Sequence, residues 1–204
     1  MQLADLPHAD QRSAEILALV RQAFVEKGFD GASMQDLARA AGMSVGNFYR
    51  YFPSKAAIIQ ALIHADHGEV LRDFDTIIGS PQPMQALRDM IQMRLTTDCM
   101  SHDTNLWTEI EAAARRSAEI GAAVRQMEAA VSTALFAVFA AETGLSQNEA
   151  EQRFSAAAAF IMVLFKTASC LNAASPVDQS ELKSMIIRTI DQTLNDVSQS
   201  SRKA

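Results

Sequence analysis

Tyr49 and Tyr51 are the chain's two tyrosines, and they stand between Phe48 and Phe52, so that four of the 13 aromatic residues fall within five positions. One helix cannot bury all four on one face. Phe48 and Phe52, one turn apart, can share an inner face. That turns Tyr49 and Tyr51 outward, where their hydroxyls can reach phosphate oxygens. The surroundings are free of acid: no Asp or Glu lies between Asp36 and Asp66, while Arg39, Arg50 and Lys55 give positions 37–65 a charge of +3. Ser44 and Gly46 keep the start of this helix slim, so a nucleic-acid backbone can come close, and N–H groups at a helix N-terminus suit a phosphate. Asn47 has the amide geometry to bond an adenine edge bidentately, and Val45 can pack on a thymine methyl. The chemistry open to this set is recognition of nucleic acid. Other readings of the same residues stay open at this level. Paired exposed tyrosines also suit a protein interface, and three basic residues in 29 positions also suit ordinary solvated charge.

Bond-making chemistry finds little support. His64 and His67 have a spacing compatible with metal on a helix, with Asp66 between them, but no third ligand is identifiable. Cys99 and Cys170 lie 71 positions apart with no CxxC, which excludes a structural zinc site and speaks against a disulfide framework. There is no phosphate-binding glycine loop and no nucleophile elbow. No metal, no cofactor and no enzymatic activity are expected.

The elements that position these residues are helices. Prolines at 7, 53, 81, 83 and 176 leave 92 residues from Met84 to Ser175 without one, and Gly28, Gly31, Gly42, Gly79 and Gly144 fall where periodic segments end. The spacing predicts a first helix over 11–27, capped by Asp10, with Ile16, Leu17, Val20, Ala23 and Phe24 on one buried face. Gly28 supplies its left-handed stop and Phe29 folds back as the apolar residue after it. Ser33-Met-Gln-Asp36 is a capping-box-like start to a short second helix ended by Gly42. Ser44 caps a third, from Val45 to about Tyr51, and Pro53-Ser54-Lys55 opens a fourth that runs to about Ile78. After the linker Gly79-Ser-Pro-Gln-Pro83, helices are expected over 84–98, 104–116, 118–143, 147–173 and 177–198. Ser146-Gln-Asn-Glu149 makes a full capping box, and Ser175-Pro176 places proline at a first helical position. Two helices of under ten residues joined by a turn containing Gly42 have the anatomy of a helix-turn-helix. They are too short to be stable alone, so the first and fourth helices must brace them.

A formal charge of −6 and a pI near 5.2 disfavour a nucleic-acid binder on their face. Position removes the objection. Residues 1–55 hold six basic and six acidic side chains, whereas 56–204 hold twelve basic and eighteen acidic, so the whole excess lies beyond residue 55. At a Debye length of about 8 Å in physiological salt, a distant acidic body is largely screened from the window. Two domains are expected, 1–55 and 56–204. The first residues have no basic stretch followed by an apolar one, so no signal peptide is expected. The longest unbroken apolar run, Ala156–Phe165, is ten residues, about half a bilayer span. A cytoplasmic protein with no membrane partner is the expectation.

The stretch from Gly31 to Lys55, GASMQDLARAAGMSVGNFYRYFPSK, resembles the DNA-binding signature of the tetracycline-repressor (TetR/AcrR) family at nearly every position. The resemblance covers about the first 60 residues; beyond them it is one of architecture. It implies an all-α homodimer with an N-terminal three-helix helix-turn-helix domain and a larger C-terminal helical domain, about nine helices in all. Such a protein is a ligand-responsive transcriptional regulator, usually a repressor. Its partners would be a double-stranded DNA operator, a second copy of itself and a small-molecule effector not identifiable from sequence. Carried over by position, Ser33 would cap the second helix and touch a phosphate. Ser44, Val45, Asn47 and Tyr49 would face the groove, and Tyr51 and Lys55 would hold the backbone. Leu37, Ala38, Gly42, Phe48 and Phe52 would be structural. Val45 stands where many members have lysine, which removes a cationic contact. A helical small-molecule-binding protein that has lost DNA affinity is the rival reading.

Beyond residue 55, Met84, Met90, Met93 and Met100 cluster near Cys99 and Trp107. They suit plain core, or an adaptable apolar cavity, because methionine repacks around varied shapes. The expected lining is Phe74, Met90, Met93, Trp107, Ile110 and Val131. Glu109 and Glu111 suit a solvated helix face better than a cationic ligand. Two late stripes, Phe154, Ala158, Ile161 and Phe165, then Leu182, Ile186 and Ile190, are the expected dimer interface, with an intrachain bundle as the alternative. Dimerisation would space two reading heads by about one DNA turn, roughly 34–36 Å or a multiple. A ligand that shifted the fourth helix would change that spacing, provided it binds the two states unequally.

Overall fold

The computed structural model describes residues 8–96, 101–169, 171 and 178–200, with backbone alone at 8–11 and 101–105. Cys99, Met100, Cys170 and Ser175-Pro176 lie outside the described residues. Among those described there are nine helices and no strand: α1 His8–Lys27, α2 Met34–Ala40, α3 Val45–Tyr51, α4 Lys55–Ile78, α5 Pro83–Thr96, α6 Ser101–Arg116, α7 Ala118–Thr143, α8 Gln147–Ser169 and α9 Gln179–Ser200. The all-α architecture is as expected.

Local chemistry explains most boundaries. Gly28 (φ +71) and Gly42 (φ +65) take the left-handed conformation that a Cβ would strain, and each ends the helix before it. Past Gly42 the Met43 N–H donates to the Ala38 carbonyl at 2.9 Å and the Gly42 N–H to that of Arg39 at 3.0 Å, the paired bonds of a Schellman turn. The Ser146–Glu149 box is formed: the Glu149 N–H donates to the Ser146 hydroxyl at 3.3 Å, and the Ser146 N–H to the Glu149 carboxylate at 2.9 Å. Three starts differ from expectation by two residues or more. α1 begins at His8, so Asp10 lies within its first turn and not before it. α6 begins three residues early, at Ser101. α9 begins at Gln179, because the Asp178 carboxylate accepts the N–H groups of Ser180 (2.8 Å) and Glu181 (3.2 Å). The acid thus serves as the cap.

Packing divides the described residues into two compact units. The first runs through Gly68 and takes in Asn105–Met127; the second comprises Glu69–Thr104 and the residues from Glu128 onward. This is not the division at residue 55 that charge suggests: the first half of α4, most of α6 and the start of α7 pack with α1–α3. The first core joins Ile16, Val20 and Phe24 of α1, Leu37 and Phe48 of the short helices, Ile58 and Leu62 of α4, and Leu106 and Ile110 of α6.

The second core joins Phe74, Leu87, Ile91, Phe139, Phe154, Ile161, Ile190 and Leu194. This core also takes up the residues expected at the dimer interface. Phe154, Ala158, Ile161, Ile186 and Ile190 are buried within the chain, and Phe165 and Leu182 pack against the same core. α5, α8 and α9 meet one another, and these stripes face that contact. Amphipathic helices must bury one face somewhere, and the nearest apolar partner is the chain's own. Large apolar side chains left exposed on the last two helices include Phe160 (46%) and Val163 (59%) on the opposite face of α8, and Met185 (51%) on α9. By length and composition α7 is apolar enough to cross a membrane, but its Leu135, Phe136, Val138 and Phe139 are buried in the second core.

Candidate nucleic-acid interface

α3 is seven residues long, and its start is set by Ser44, whose hydroxyl accepts the Asn47 N–H at 3.3 Å. Phe48 and Phe52 turn inward with ring centres 5.8 Å apart and are buried. The remaining positions face out: Val45, Gly46, Asn47, Tyr49, Arg50 and Tyr51 are all exposed. Tyr49 and Tyr51 thus stand as the aromatic spacing predicts. A Cβ built at Gly46 would meet nothing within 4 Å. Among the described residues nothing covers the outer face of α3.

α2 carries the flank. Ser33 caps it with its hydroxyl accepting the Asp36 N–H at 3.1 Å, while the Ser33 N–H donates to the Asp36 carboxylate at 3.0 Å. The Ser33 oxygen is thus already used by the fold. Lys27 donates to Asp36 at 2.7 Å, and this bond, followed by those from the Ser33 hydroxyl and N–H, holds the Asp36 carboxyl far below the usual carboxylate range. Arg39 leans 3.7 Å from the same carboxylate but leaves 80% of its side chain in solvent. Among the described residues no ion pair or hydrogen bond engages Arg50.

Lys55 is placed differently from what the resemblance implies. Its ammonium points inward, donating to the carbonyls of Phe29 (2.9 Å) and Asp30 (3.3 Å), and it lies 5.0 Å from the centre of the Phe29 ring. Glu109, expected on a solvated face, accepts the Phe29 N–H at 3.2 Å. No spacing rule finds this contact, because it joins residues 80 positions apart.

A three-helix unit with an exposed, acid-free third helix is one of the common ways to present a helix to the major groove. Residues 16–62 match the family model of bacterial regulatory proteins of the tetR family. This segment, the helix-turn-helix unit itself, is what the chain shares with that family. Curated relatives include the HTH-type transcriptional regulator EthR of Mycolicibacterium smegmatis, 38% identical over 94 residues, which are 43% of this chain and 41% of the relative. UidR of Escherichia coli is 38% identical over 66 residues, 32% of this chain and 34% of that one. The matches thus span about two fifths and one third of the relatives' own lengths. Solved structures match over nearly the whole chain. GusR of Salmonella enterica has a TM-score of 0.69 at 22% identity, covering 93% of this chain and 98% of its own. A transcriptional regulator from Rhodococcus sp. has a TM-score of 0.73 at 20% identity, covering 91% and 97%. At these identities the likeness shows the fold alone.

The expected effector lining is not gathered into one surface within either compact unit. Trp107 and Ile110 belong to the first unit; Phe74, Met90, Met93 and Val131 belong to the second. Ile110 and Phe74 are buried in their respective cores, and Trp107, Met90 and Val131 pack against them. Met93 is 57% exposed, because it lies two residues from both Ile91 and Leu95, off the buried stripe of α5.

Proposed function

We propose that the chain is a transcriptional repressor that grips a near-palindromic operator in double-stranded DNA as a homodimer and releases it on binding an apolar small molecule. The observation that carries this reading is the unobstructed outer face of α3, where Asn47, Tyr49, Arg50 and Tyr51 are exposed together and no acid intervenes. In this reading Asn47 and Val45 meet base edges, and Tyr49, Tyr51, Arg50 and Arg39 meet phosphates. The N–H groups at the start of α3, where Gly46 adds no side chain, allow close approach to the backbone. Ser33 and Ser44 act first as caps.

The second copy docks on the outer faces of α8 and α9. Ala156, Phe160, Val163 and Thr167 recur at helical spacing along one exposed stripe of α8, and Met185 stands exposed on α9. Outward apolar side chains on two packed helices suit a four-helix contact with an identical pair. The effector is assigned to the helical body without naming its lining. The relatives are transcriptional regulators, and a non-enzymatic protein acting in the cytoplasm, with no membrane partner, follows from that role.

Enrichment of duplexes from a random DNA pool by the full-length protein tests the proposal. The expected result is one motif with two related half-sites, spaced by about one helical turn or a multiple. Failure to enrich any sequence at low salt would sink the repressor reading in favour of a helical binding protein whose head has lost DNA affinity.

A further inference from the structure

Phe29 is held by both of its backbone polar groups. Its N–H donates to the Glu109 carboxylate of α6 at 3.2 Å, and its carbonyl accepts from Lys55, the first residue of α4, at 2.9 Å. The neighbouring Asp30 carboxylate meets Arg116, also of α6, at 3.2 Å. Side chains from two helices distant in sequence thus converge on the joint that leads from α1 into α2.

The joint needs an outside acceptor. At the end of α2 the residue after the left-handed glycine, Met43, finds its own helix: its N–H reaches the Ala38 carbonyl. At the end of α1 the geometry differs. The Gly28 N–H takes the Phe24 carbonyl at 2.9 Å, a single closing bond. The N–H of the next residue, Phe29, is then given to Glu109. A part-buried N–H without a partner is costly, and a carboxylate is the strongest acceptor available to it. The Phe29 ring meanwhile packs 5.6 Å from that of Phe24, closing the same turn on its apolar side.

We infer that Glu109 is a positioning residue for the reading head: it fixes the α1–α2 joint from α6 and thereby the orientation in which α2 and α3 are presented. Lys55 holds the carbonyl of the same residue, in the next peptide unit, and is its counterpart. The inference rests on the reading of α3 as the DNA-reading helix. It places one determinant of operator affinity outside both residues 1–55 and the family-matched segment 16–62. Release of the joint widens the range of head orientations, and binding must then restore one of them.

Full-length protein and the duplex it enriches from a random pool provide the test, with affinities read by fluorescence anisotropy at fixed salt. Glu109→Ala is expected to bind about tenfold more weakly, a loss on the scale of one charge-assisted hydrogen bond. Its base preference should stay close to the wild type, and its melting midpoint should fall by several degrees, the cost of the unpaired N–H. Glu109→Gln keeps an oxygen acceptor and should bind within about threefold of the wild type. Wild-type affinity in Glu109→Ala overturns the inference, and so does a Glu109→Gln protein as weak as Glu109→Ala. If Glu109→Ala fails to fold, amide hydrogen exchange decides: Phe29 should be protected in the wild type and in Glu109→Gln, and rapid exchange in the wild type would overturn the role. If the wild type enriches no duplex, the repressor reading fails, while exchange at Phe29 still reports on the joint.

Discussion

Lys27, the last residue of α1, sets its ammonium 2.7 Å from the Asp36 carboxylate in the first turn of α2. The contact bridges the α1–α2 joint, and its acid partner also closes the cap of α2 through Ser33. One carboxylate therefore ties the end of one helix to the start of the next. It is also the last acid before the acid-free window that contains α3.

That arrangement predicts a pH dependence. The Asp36 carboxyl is held well below its ordinary value, first by the Lys27 hydrogen bond and then by Ser33. A depressed carboxyl contributes stability that is fully present above its unfolded value. It is lost as pH falls through the folded one. Asp36→Asn should therefore melt below the wild type by a constant margin from neutral pH down to about pH 4, near the ordinary carboxyl value. The margin should shrink in more acidic buffer. Parallel thermal melts measure it, and a margin that widens in acid contradicts the assignment.

Ser44 caps a helix of only seven residues, so its loss should be felt. Ser44→Ala is expected to cost about 1 kcal/mol in denaturant unfolding, the usual scale for an N-cap. DNA affinity should fall with it, because α3 frays from the end that meets the DNA.

Gly31 and Gly46 should behave in opposite ways. A Cβ at Gly31 would sit 2.3 Å from the Lys27 carbonyl, a backbone atom that cannot swing aside. Gly31→Ala should lower stability by about 1–3 kcal/mol, as overpacking does. A Cβ at Gly46 meets nothing, and alanine is the better helix former by up to about 1 kcal/mol. Gly46→Ala should leave the protein as stable or more so, yet weaken DNA binding by crowding the backbone. Thermal melts and anisotropy titrations on the two variants separate these outcomes.

The outer and inner faces of α8 and α9 can be told apart in the same manner. Val163→Asp on the exposed stripe should dissociate the dimer in sedimentation equilibrium while leaving helicity intact. Ile190→Ala in the second core should cost about 2–5 kcal/mol of stability. A monomeric wild type, or a Val163→Asp protein that unfolds, would contradict the proposed interface.

The helices and their ends were largely legible in the sequence, because the signals are local. Gly28 and Gly42 stop helices, and Ser146 with Glu149 starts one, through atoms within a few residues of one another. The outward turn of Tyr49 and Tyr51 was legible for the same reason: burying Phe48 and Phe52 leaves them no other direction. Contacts made at long range were not legible. The Phe154–Ile161 and Ile186–Ile190 stripes were correct as buried faces. Periodicity says that a face is buried, not whether the cover is the same chain or another copy. Glu109 on Phe29 and Lys55 on the Phe29 carbonyl join residues 80 and 26 positions apart. Both are ordinary solvated charges until the fold brings the joint to them. Asp178 caps α9 where several helix-start residues lie close together in sequence, and only geometry selects among such neighbours.

The exposed face of α3 as the DNA-reading surface is tested most directly by titrating the enriched duplex and a scrambled one against salt, with wild type, Asn47→Ala and Arg50→Ala. The wild type should prefer the enriched duplex, with affinity falling linearly in log–log form by about 0.9 per phosphate contact. Asn47→Ala should narrow the preference with the slope unchanged, and Arg50→Ala should weaken both duplexes and flatten the slope by about one unit per subunit. Equal affinity of the wild type for both duplexes at low salt, or variants indistinguishable from it, would contradict α3 as the reading helix.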